Sequence, residues 1–420
     1  MIGRDNVLLA VRRALRGRRL RPEVIRYLEG FEDEMEWLRE QLMTGAADCG
    51  DCHEFRIFDP KERWITAPVF RERVLHHAAM NVCGPVLDRR LTSHTYACRM
   101  GLGTFAAVEA ACRAAGRQPW FLKLDVRKYF DSVPHHRLES FLDRVFRERQ
   151  AVRLLINLVK AYRQGSNYGL AIGTLVSQHL ANFYLTALDT LVLQEIRPGG
   201  YVRYMDDMAL WFGTRDAALS ARDRIIRFAT APLELTFKTV AIQRSNQGMD
   251  FLGHRIHPHW AGLGRRSRRR YSRNIRRLHT AWLAGEVCER EAQDRGTALG
   301  AFIGHARCLE WRRRVVRDLG DGPQAGTARC AAAAGTTTAR TPRPATATAT
   351  RPATGTTTSA SGPAPAPAEC GDAPMEQARL PAPGPPGLDK THAPRRRLVA
   401  ERPTARSAKA GAGDHPKEAE

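Results

Sequence analysis

The chain has 420 residues, with 66 Lys and Arg against 44 Asp and Glu, a formal net charge of +22 and a pI near 10.3. That length allows a large core and more than one domain, and that charge selects a polyanionic partner. No apolar run nears the ~20 residues of a membrane span, Val7–Val11 is too short for a signal peptide, and nine scattered cysteines fit reduced thiols better than a disulfide framework; nucleic acid in the cytoplasm is therefore expected, not a membrane.

Residues 1–45 read as helical, with Arg12, Arg13, Arg16, Arg18, Arg19 and Arg21 in one block. Such a block either contacts a nucleic-acid backbone or is a solvated helix face. Cys49-Gly50-Asp51-Cys52-His53 has haem-attachment spacing, but there is no export signal, and no second C-x-x-C follows at zinc-ribbon spacing. It is read as a polar loop entering a strand at Phe55. Residues 55–66 alternate as a strand or hairpin, and 69–88 read as a helix. Its neighbours His76 and His77 point about 100° apart and so cannot easily chelate one ion; packing or RNA contacts are expected. A glycine-bearing loop, 95–103, precedes a helix at 104–115.

Phe121–Val126 alternates as a strand, with Leu122, Leu124 and Val126 on a face to bury and Phe121, Lys123 and Asp125 on a wet one. Val133-Pro134 starts a helix, and helices are expected near 135–147 and 150–163. A loop holding Gly169 and Gly173, whose bare backbone suits close approach to a base pair, leads into one apolar helix over 174–194. Tyr201–Phe212 reads as two short strands rich in Tyr, Val, Trp and Phe, turning at Asp206-Asp207. A helix near 215–231 and strands near 234–243 and 248–256 follow. Eight arginines fall within 265–277, and helices continue to about 318. From about 321, Ala, Thr, Pro, Gly and Arg dominate, a composition expected to be disordered.

Two carboxylates crowded at a tight turn repel each other, and a divalent cation removes that cost because hard cations take oxygen ligands. A third carboxylate, Asp125, lies on the wet face of an upstream strand. Nucleotidyl transfer uses such a set to hold two metals about 3.5–4 Å apart.

Leu124-Asp125 with Tyr129-Phe130-Asp131, then Tyr204-Met205-Asp206-Asp207, resembles motifs A and C of reverse transcriptases. Gly169–Gln178 resembles motif B, Phe237-Lys238-Thr239 motif D, Phe251-Leu252-Gly253 motif E, Arg63–Pro68 motif 1, and Thr95–Gly103 motif 2. The resemblance covers roughly 55–315. It implies an α+β right-hand polymerase: a basic helical extension over 1–54, fingers and an antiparallel palm with helices on one face over 55–260, a helical thumb over 261–320, and the 321–420 tail. The palm motifs would fall at 120–132, 169–178, 201–212 and 236–254. Asp125, Asp206 and Asp207 would be catalytic and hold two Mg²⁺ ions, with Mn²⁺ as the alternative. Lys61, Arg63, Arg99, Val126, Phe130, Ile172, Gly173, Gln178 and Lys238 would meet the incoming nucleotide. Phe130 would stack beneath its sugar, or be core; Lys238 would neutralise the leaving pyrophosphate, or be a surface lysine. Tyr204, Met205, Phe251, Leu252, Gly253, Arg268, Arg269 and Arg270 would meet the primer and template. The partners implied are template RNA, a DNA primer and dNTPs.

Motif B reads Ile172-Gly173 and Ser177-Gln178 where most reverse transcriptases carry Gln-Gly and Ser-Pro. With Tyr-Met-Asp-Asp, this form resembles the enzymes of diversity-generating retroelements, which copy a template-repeat RNA with errors at adenines and work with a small basic accessory protein. Ala171 departs from the proline frequent in that subgroup. No maturase-like or endonuclease segment follows the arginine-rich helices, which argues against a full group II intron protein. The rival readings are another bacterial reverse transcriptase, of retron, defence or group II-like type, and a nucleic-acid-binding protein with a decayed site.

Overall fold

A computed structural model describes residues 1–58, 62–163 and 165–319. Lys61 and the 321–420 tail lie outside the described residues. The chain opens with three helices, α1 (Arg4–Ala14), α2 (Pro22–Glu29) and α3 (Phe31–Thr44), as expected for 1–45. Pro22 sits at the start of α2, where its missing N–H costs nothing. Gly45 ends α3 at φ 68°, and the conformation is left-handed, which glycine adopts without strain. Strands β1 (Cys52–Phe58) and β2 (Glu62–Pro68) pair antiparallel, so the Cys-x-x-Cys-His stretch runs directly into a strand that begins at Cys52 rather than Phe55. Helix α4 (Phe70–Asp88) follows, and His76 is buried on it, within 3.2 Å of the Tyr162 hydroxyl. Then come α5 (Thr104–Arg117), β3 (Trp120–Val126), a single turn α6 (Tyr129–Ser132), α7 (His135–Asp143) and α8 (Arg149–Ala161).

The apolar stretch 174–194 is not one helix. It divides into α9 (Leu175–Tyr184), α10 (Thr186–Thr190) and a π-turn (Leu191–Ile196). The Thr186 hydroxyl donates to the Phe183 carbonyl and the Thr190 hydroxyl to the Thr186 carbonyl, at 2.7 and 2.9 Å. Such side-chain back-bonding competes with the helical ladder and bends it.

Next are β4 (Gly200–Tyr204), β5 (Asp207–Phe212), α11 (Arg215–Thr230) and β6 (Phe237–Arg244). Thr214 caps α11, its hydroxyl accepting from the Ala217 N–H at 3.2 Å. The expected strand at 248–256 is instead a hairpin, β7 (Met249–Phe251) and β8 (His254–His257). It reverses at Leu252-Gly253, where φ is 49° and 79°. With β9 (Trp260–Leu263) it forms its own three-stranded sheet, so β6 alone closes the larger sheet, whose order is β4-β5-β3-β6. Helices α12 (Arg265–Leu283), α13 (Glu289–Ile303) and α14 (Leu309–Arg317) complete the described chain.

All pairings in the larger sheet are antiparallel. Leu122, Leu124 and Val126 join Tyr201, Met208, Leu210 and Phe212 in the main core, against α4, α8, α9 and α11. Each such side chain contributes about 1.5–3 kcal/mol by leaving water. The α+β class therefore holds, with the main helical layer on this face. The opposite face differs from the expectation of a wet surface. Phe121, Val202, Ala209 and Trp211 are buried there beneath the alanine-rich α5 and the small sheet. The end carrying Lys123 and Asp125 stays partly open. Alternation along β3 marks two faces, but it cannot say how much of the second face another element covers.

Candidate active site

The open end of that sheet gathers the acidic residues. In register, Asp125 of β3 stands opposite Asp207 of β5, and Tyr204 of β4 stands opposite Asp207 on the other side. Met205 holds a left-handed φ of 54° in the turn between β4 and β5, a conformation that costs a non-glycine residue free energy. Asp206 sits beside it in the same turn. Lys123, also on β3, lies 3.4 Å from Asp207 Oδ1, and Lys238 of β6 lies 3.9 Å from Asp125 Oδ2.

Asp207 sits in a setting that disfavours its charge. Burial pushes its carboxyl up to about 7; Lys123 opposes this, and the neighbouring Asp125 and Asp206 carboxylates add to it. Its buried Oδ1 makes no hydrogen bond, the Lys123 contact being an ion pair outside hydrogen-bond geometry. An orphaned carboxylate oxygen beside two further carboxylates is the donor set a hard divalent cation fits. Among the described residues, no three acidic, His or Cys side chains are already drawn around one point. The two lysines partly neutralise the cluster instead.

The residues expected to meet a nucleotide fall on several segments. Phe130 is half-buried against the main core and packs edge-to-face on Tyr129. Its carbonyl accepts from the Leu170 N–H, which ties the turn after β3 to the 169–174 loop. The Arg163 guanidinium secures the same junction, bonding Asp131 and the Phe130 and Leu170 carbonyls.

Ile172 is half-buried, and its carbonyl accepts from the Thr66 N–H of β2 at 2.8 Å. Gly173, at φ 116°, approaches the protein itself: a Cβ there would stand 2.5 Å from the Thr66 carbonyl oxygen. The need for glycine is thus set by docking the loop on β2. Gln178 is half-buried within 3.8 Å of the Cys98 thiol. The Val126 side chain lies in the core, so only its backbone can face a nucleotide.

Arg63 is exposed on β2. Arg99 is engaged within its own loop, by Asp88 at 2.8 Å and the Thr92 and Thr95 carbonyls at 2.6 and 3.2 Å, so a phosphate would compete with those partners.

Among the residues expected at primer and template, Tyr204 accepts from the Thr104 hydroxyl at 3.3 Å, and Met205 packs on the main core. Phe251 is buried beneath Lys123, whose ammonium lies 5.7 Å from its ring and donates to the Asp250 carbonyl. Leu252 and Gly253 form the reversal already described. On α12, Arg268, Arg269, Arg273, Arg276 and Arg277 line a groove of about 490 Å³ with Ser272 and Trp311. Arg270 is exposed but does not line it.

Residues 59–256 match the family described as reverse transcriptase (RNA-dependent DNA polymerase). That match covers just under half of the chain. The putative COX1/OXI3 intron 1 protein of Saccharomyces cerevisiae is 22% identical over 28% of this chain and 15% of its own length. Protein YkfC of Escherichia coli is 23% identical over 53% of this chain and 71% of its own length. The group II intron-encoded protein LtrA of Lactococcus lactis is 24% identical over 32% of this chain and 23% of its own length. The chain thus spans less than a quarter of either intron protein. Among solved structures, apo telomerase from Candida tropicalis, truncated from its C-terminal domain, is similar with a TM-score of 0.38 and 11% identity, over 51% of this chain and 55% of that one. The four-stranded antiparallel sheet lies within the matched residues. No helix among the described residues is long and apolar enough to cross a membrane.

The arginine groove offers a test of nucleic-acid contact. Each phosphate contact releases counterions, so affinity falls steeply with salt. Replacing Arg268, Arg269 and Arg273 by Ala is expected to flatten the log–log slope of RNA affinity against salt by about one unit per lost contact. An unchanged slope removes this face of α12 from the interface.

Proposed function

We propose that this protein copies RNA into DNA, and that it does so as the error-prone polymerase of a diversity-generating retroelement. The observation that carries the polymerase reading is the register of Asp125 against Asp207 at the open end of the sheet, inside the reverse transcriptase match, with Asp206 in the adjoining turn. Asp125, Asp206 and Asp207 are the residues that would hold divalent cations. Such ions, when bound, activate an attacking hydroxyl and neutralise a leaving phosphate.

The chain's own part is positioning and charge. Lys238, beside Asp125, supplies positive charge where pyrophosphate departs. Arg63 supplies it from β2, a strand bonded to the Ile172 carbonyl. Phe130 stands at the junction of the two nucleotide segments and acts as the sugar gate. Template RNA, a DNA primer and dNTPs are the substrates, and a small basic accessory protein is the expected partner. The arginine groove of α12 serves the template–primer duplex as part of a helical thumb. The helices of the 1–54 extension pack into the same core as the sheet.

Truncating the gate removes the clash with a 2′-hydroxyl, so Phe130→Ala is expected to admit ribonucleotides about tenfold better relative to dNTPs, a difference of about 1.4 kcal/mol. An unchanged preference in single-nucleotide incorporation assigns Phe130 to the core alone.

The diversity-generating reading rests on Ile172. A glutamine there offers a donor and an acceptor, whereas isoleucine offers neither and is stiff and branched. A polar handle worth about 1 kcal/mol net is missing, and discrimination between nucleotides is a difference of such terms. Because the main chain of Ile172 is pinned to Thr66, the change to glutamine alters the side chain without releasing the loop. On a defined RNA template, wild type is expected to misincorporate most at adenines, and Ile172→Gln to lower those errors several-fold on sequencing the cDNA. Accurate copying at adenines by wild type would exclude the diversity-generating reading and leave the other bacterial reverse transcriptases.

A further inference from the structure

Behind the acidic turn lies a polar network that the sequence motifs do not account for. Arg203 of β4 and Asp189 of α10 are both wholly buried and bonded to each other, Nε to Oδ1 at 2.7 Å and Nη2 to Oδ2 at 2.5 Å. The Tyr201 hydroxyl donates to Asp189 Oδ1 at 2.6 Å. The rest of the guanidinium fork reaches three segments. Nη2 donates to Thr95 Oγ1 and to the Asn182 carbonyl, both at 3.1 Å, and Nη1 donates to the Met205 carbonyl at 3.2 Å. The backbone repeats the link: the Arg203 N–H donates to the His94 carbonyl at 2.9 Å, and the Tyr96 N–H donates to the Arg203 carbonyl at 3.0 Å. Asn182 closes the circuit by donating to the Ala97 carbonyl at 2.7 Å.

A buried ion pair is a poor source of stability. Desolvating both charges offsets most of their attraction, and a well-packed apolar pair of similar size often serves as well. What the pair does supply is geometry. A planar guanidinium has five donors in a fixed fork, and Asp189 occupies only part of it. The donor aimed at Met205 meets the one residue of the acidic turn held at positive φ. That conformation is costly and persists only where its surroundings dictate it.

We propose that Arg203 is a positioning residue: anchored by Asp189, it holds the Met205 carbonyl, sets where Asp206 and Asp207 stand, and locks that turn to the 94–97 loop and to α9. The proposal deepens the polymerase reading and rests on it. Arg203 touches no substrate; it acts through the turn. A lysine in its place keeps the charge beside Asp189 but has no fork to reach Met205 as well.

The test uses the full chain and two variants, Arg203→Lys and the double replacement Arg203→Met with Asp189→Leu. The double variant removes both charges together and so avoids stranding one in the core. Melting temperature, kcat and KM for dNTP on an RNA template, and amide hydrogen exchange over residues 205–208 are measured on each. In the double variant, a melting temperature close to wild type is expected, with kcat lower by about 100-fold, as a misplacement of about 1 Å can cost, KM little changed, and faster exchange at the turn. Arg203→Lys is expected to fold and to show the same pattern more weakly.

Wild-type kcat and wild-type turn exchange in either folded variant overturns the proposal. Loss of the fold in both variants leaves Arg203 a structural role only and overturns it as well. A wild type that extends no primer counts against the polymerase reading. Turn exchange then decides the positioning role by itself: faster exchange in a folded variant supports it, and unchanged exchange overturns it.

Discussion

Asp206→Asn is expected to lower primer extension about a thousandfold or more while leaving RNA affinity within about twofold. Charge-stabilising groups in a water-poor site are worth two to three powers of ten apiece, and a carboxylate that holds a cation is worth at least as much. Affinity for RNA rests instead on arginine and lysine contacts to phosphate, which this change does not touch. Asp206 lies in the turn between β4 and β5, and asparagine is nearly isosteric, so the turn itself should survive. Primer extension and filter binding on the same preparation separate the two effects. Near-normal extension would remove Asp206 from the reaction, and a matching loss of RNA binding would point to a disturbed fold.

The second large effect is on stability, and it runs opposite to activity. Burial holds the Asp207 carboxyl near 7 in the folded chain, against 3.8 for the free group. Between those pH values the unfolded chain has released a proton that the folded chain keeps. Without divalent ions, stability therefore falls as pH rises from about 4 to about 7, and stays reduced above that. The full shift corresponds to about 4 kcal/mol, and since a quarter of the side chain is exposed, about 1–3 kcal/mol is the realistic range. Asp207→Asn removes the ionisation altogether. In EDTA at pH 8 the variant is expected to melt several degrees above wild type, and near pH 4 the two should converge. Added Mg²⁺ should raise the melting temperature of wild type at pH 8 but not that of the variant. A lower melting temperature for the variant at pH 8 in EDTA would mean that the Lys123 ion pair outweighs the burial cost.

The acidic cluster was legible because its signals are local. Adjacent aspartates between two aromatic strands announce a hairpin, and alternation along β3 puts Asp125 on the face opposite Leu124. What stayed hidden depends on partners distant in sequence. Nothing near Phe121 tells that α5 and the small sheet would cover it. The break at Leu185 arises from threonine hydroxyls within an otherwise continuous apolar pattern. The reversal at Leu252-Gly253 was masked because its flanks read as one β-rich run. Gly173 was recognisable as a close-approach glycine, but the partner it approaches, Thr66, lies on another strand. Arg203 did carry a signal: it is a charged residue on the strand face shared with Tyr201, a position that needs a buried counter-charge. Asp189 could be assigned to it only once the helix carrying it was packed against the sheet.

The most direct measurement is primer extension by the purified chain on a defined RNA template with a DNA primer, dNTPs and Mg²⁺, alongside Asp125→Asn. Asp125 is the carboxylate that register pairing, rather than sequence adjacency, brings to Asp207. The expected result is template-directed DNA synthesis by wild type that EDTA abolishes, and none by Asp125→Asn despite unchanged RNA binding. RNA binding without any templated synthesis by wild type, or synthesis that Asp125→Asn performs equally well, would contradict a polymerase site built on these three carboxylates.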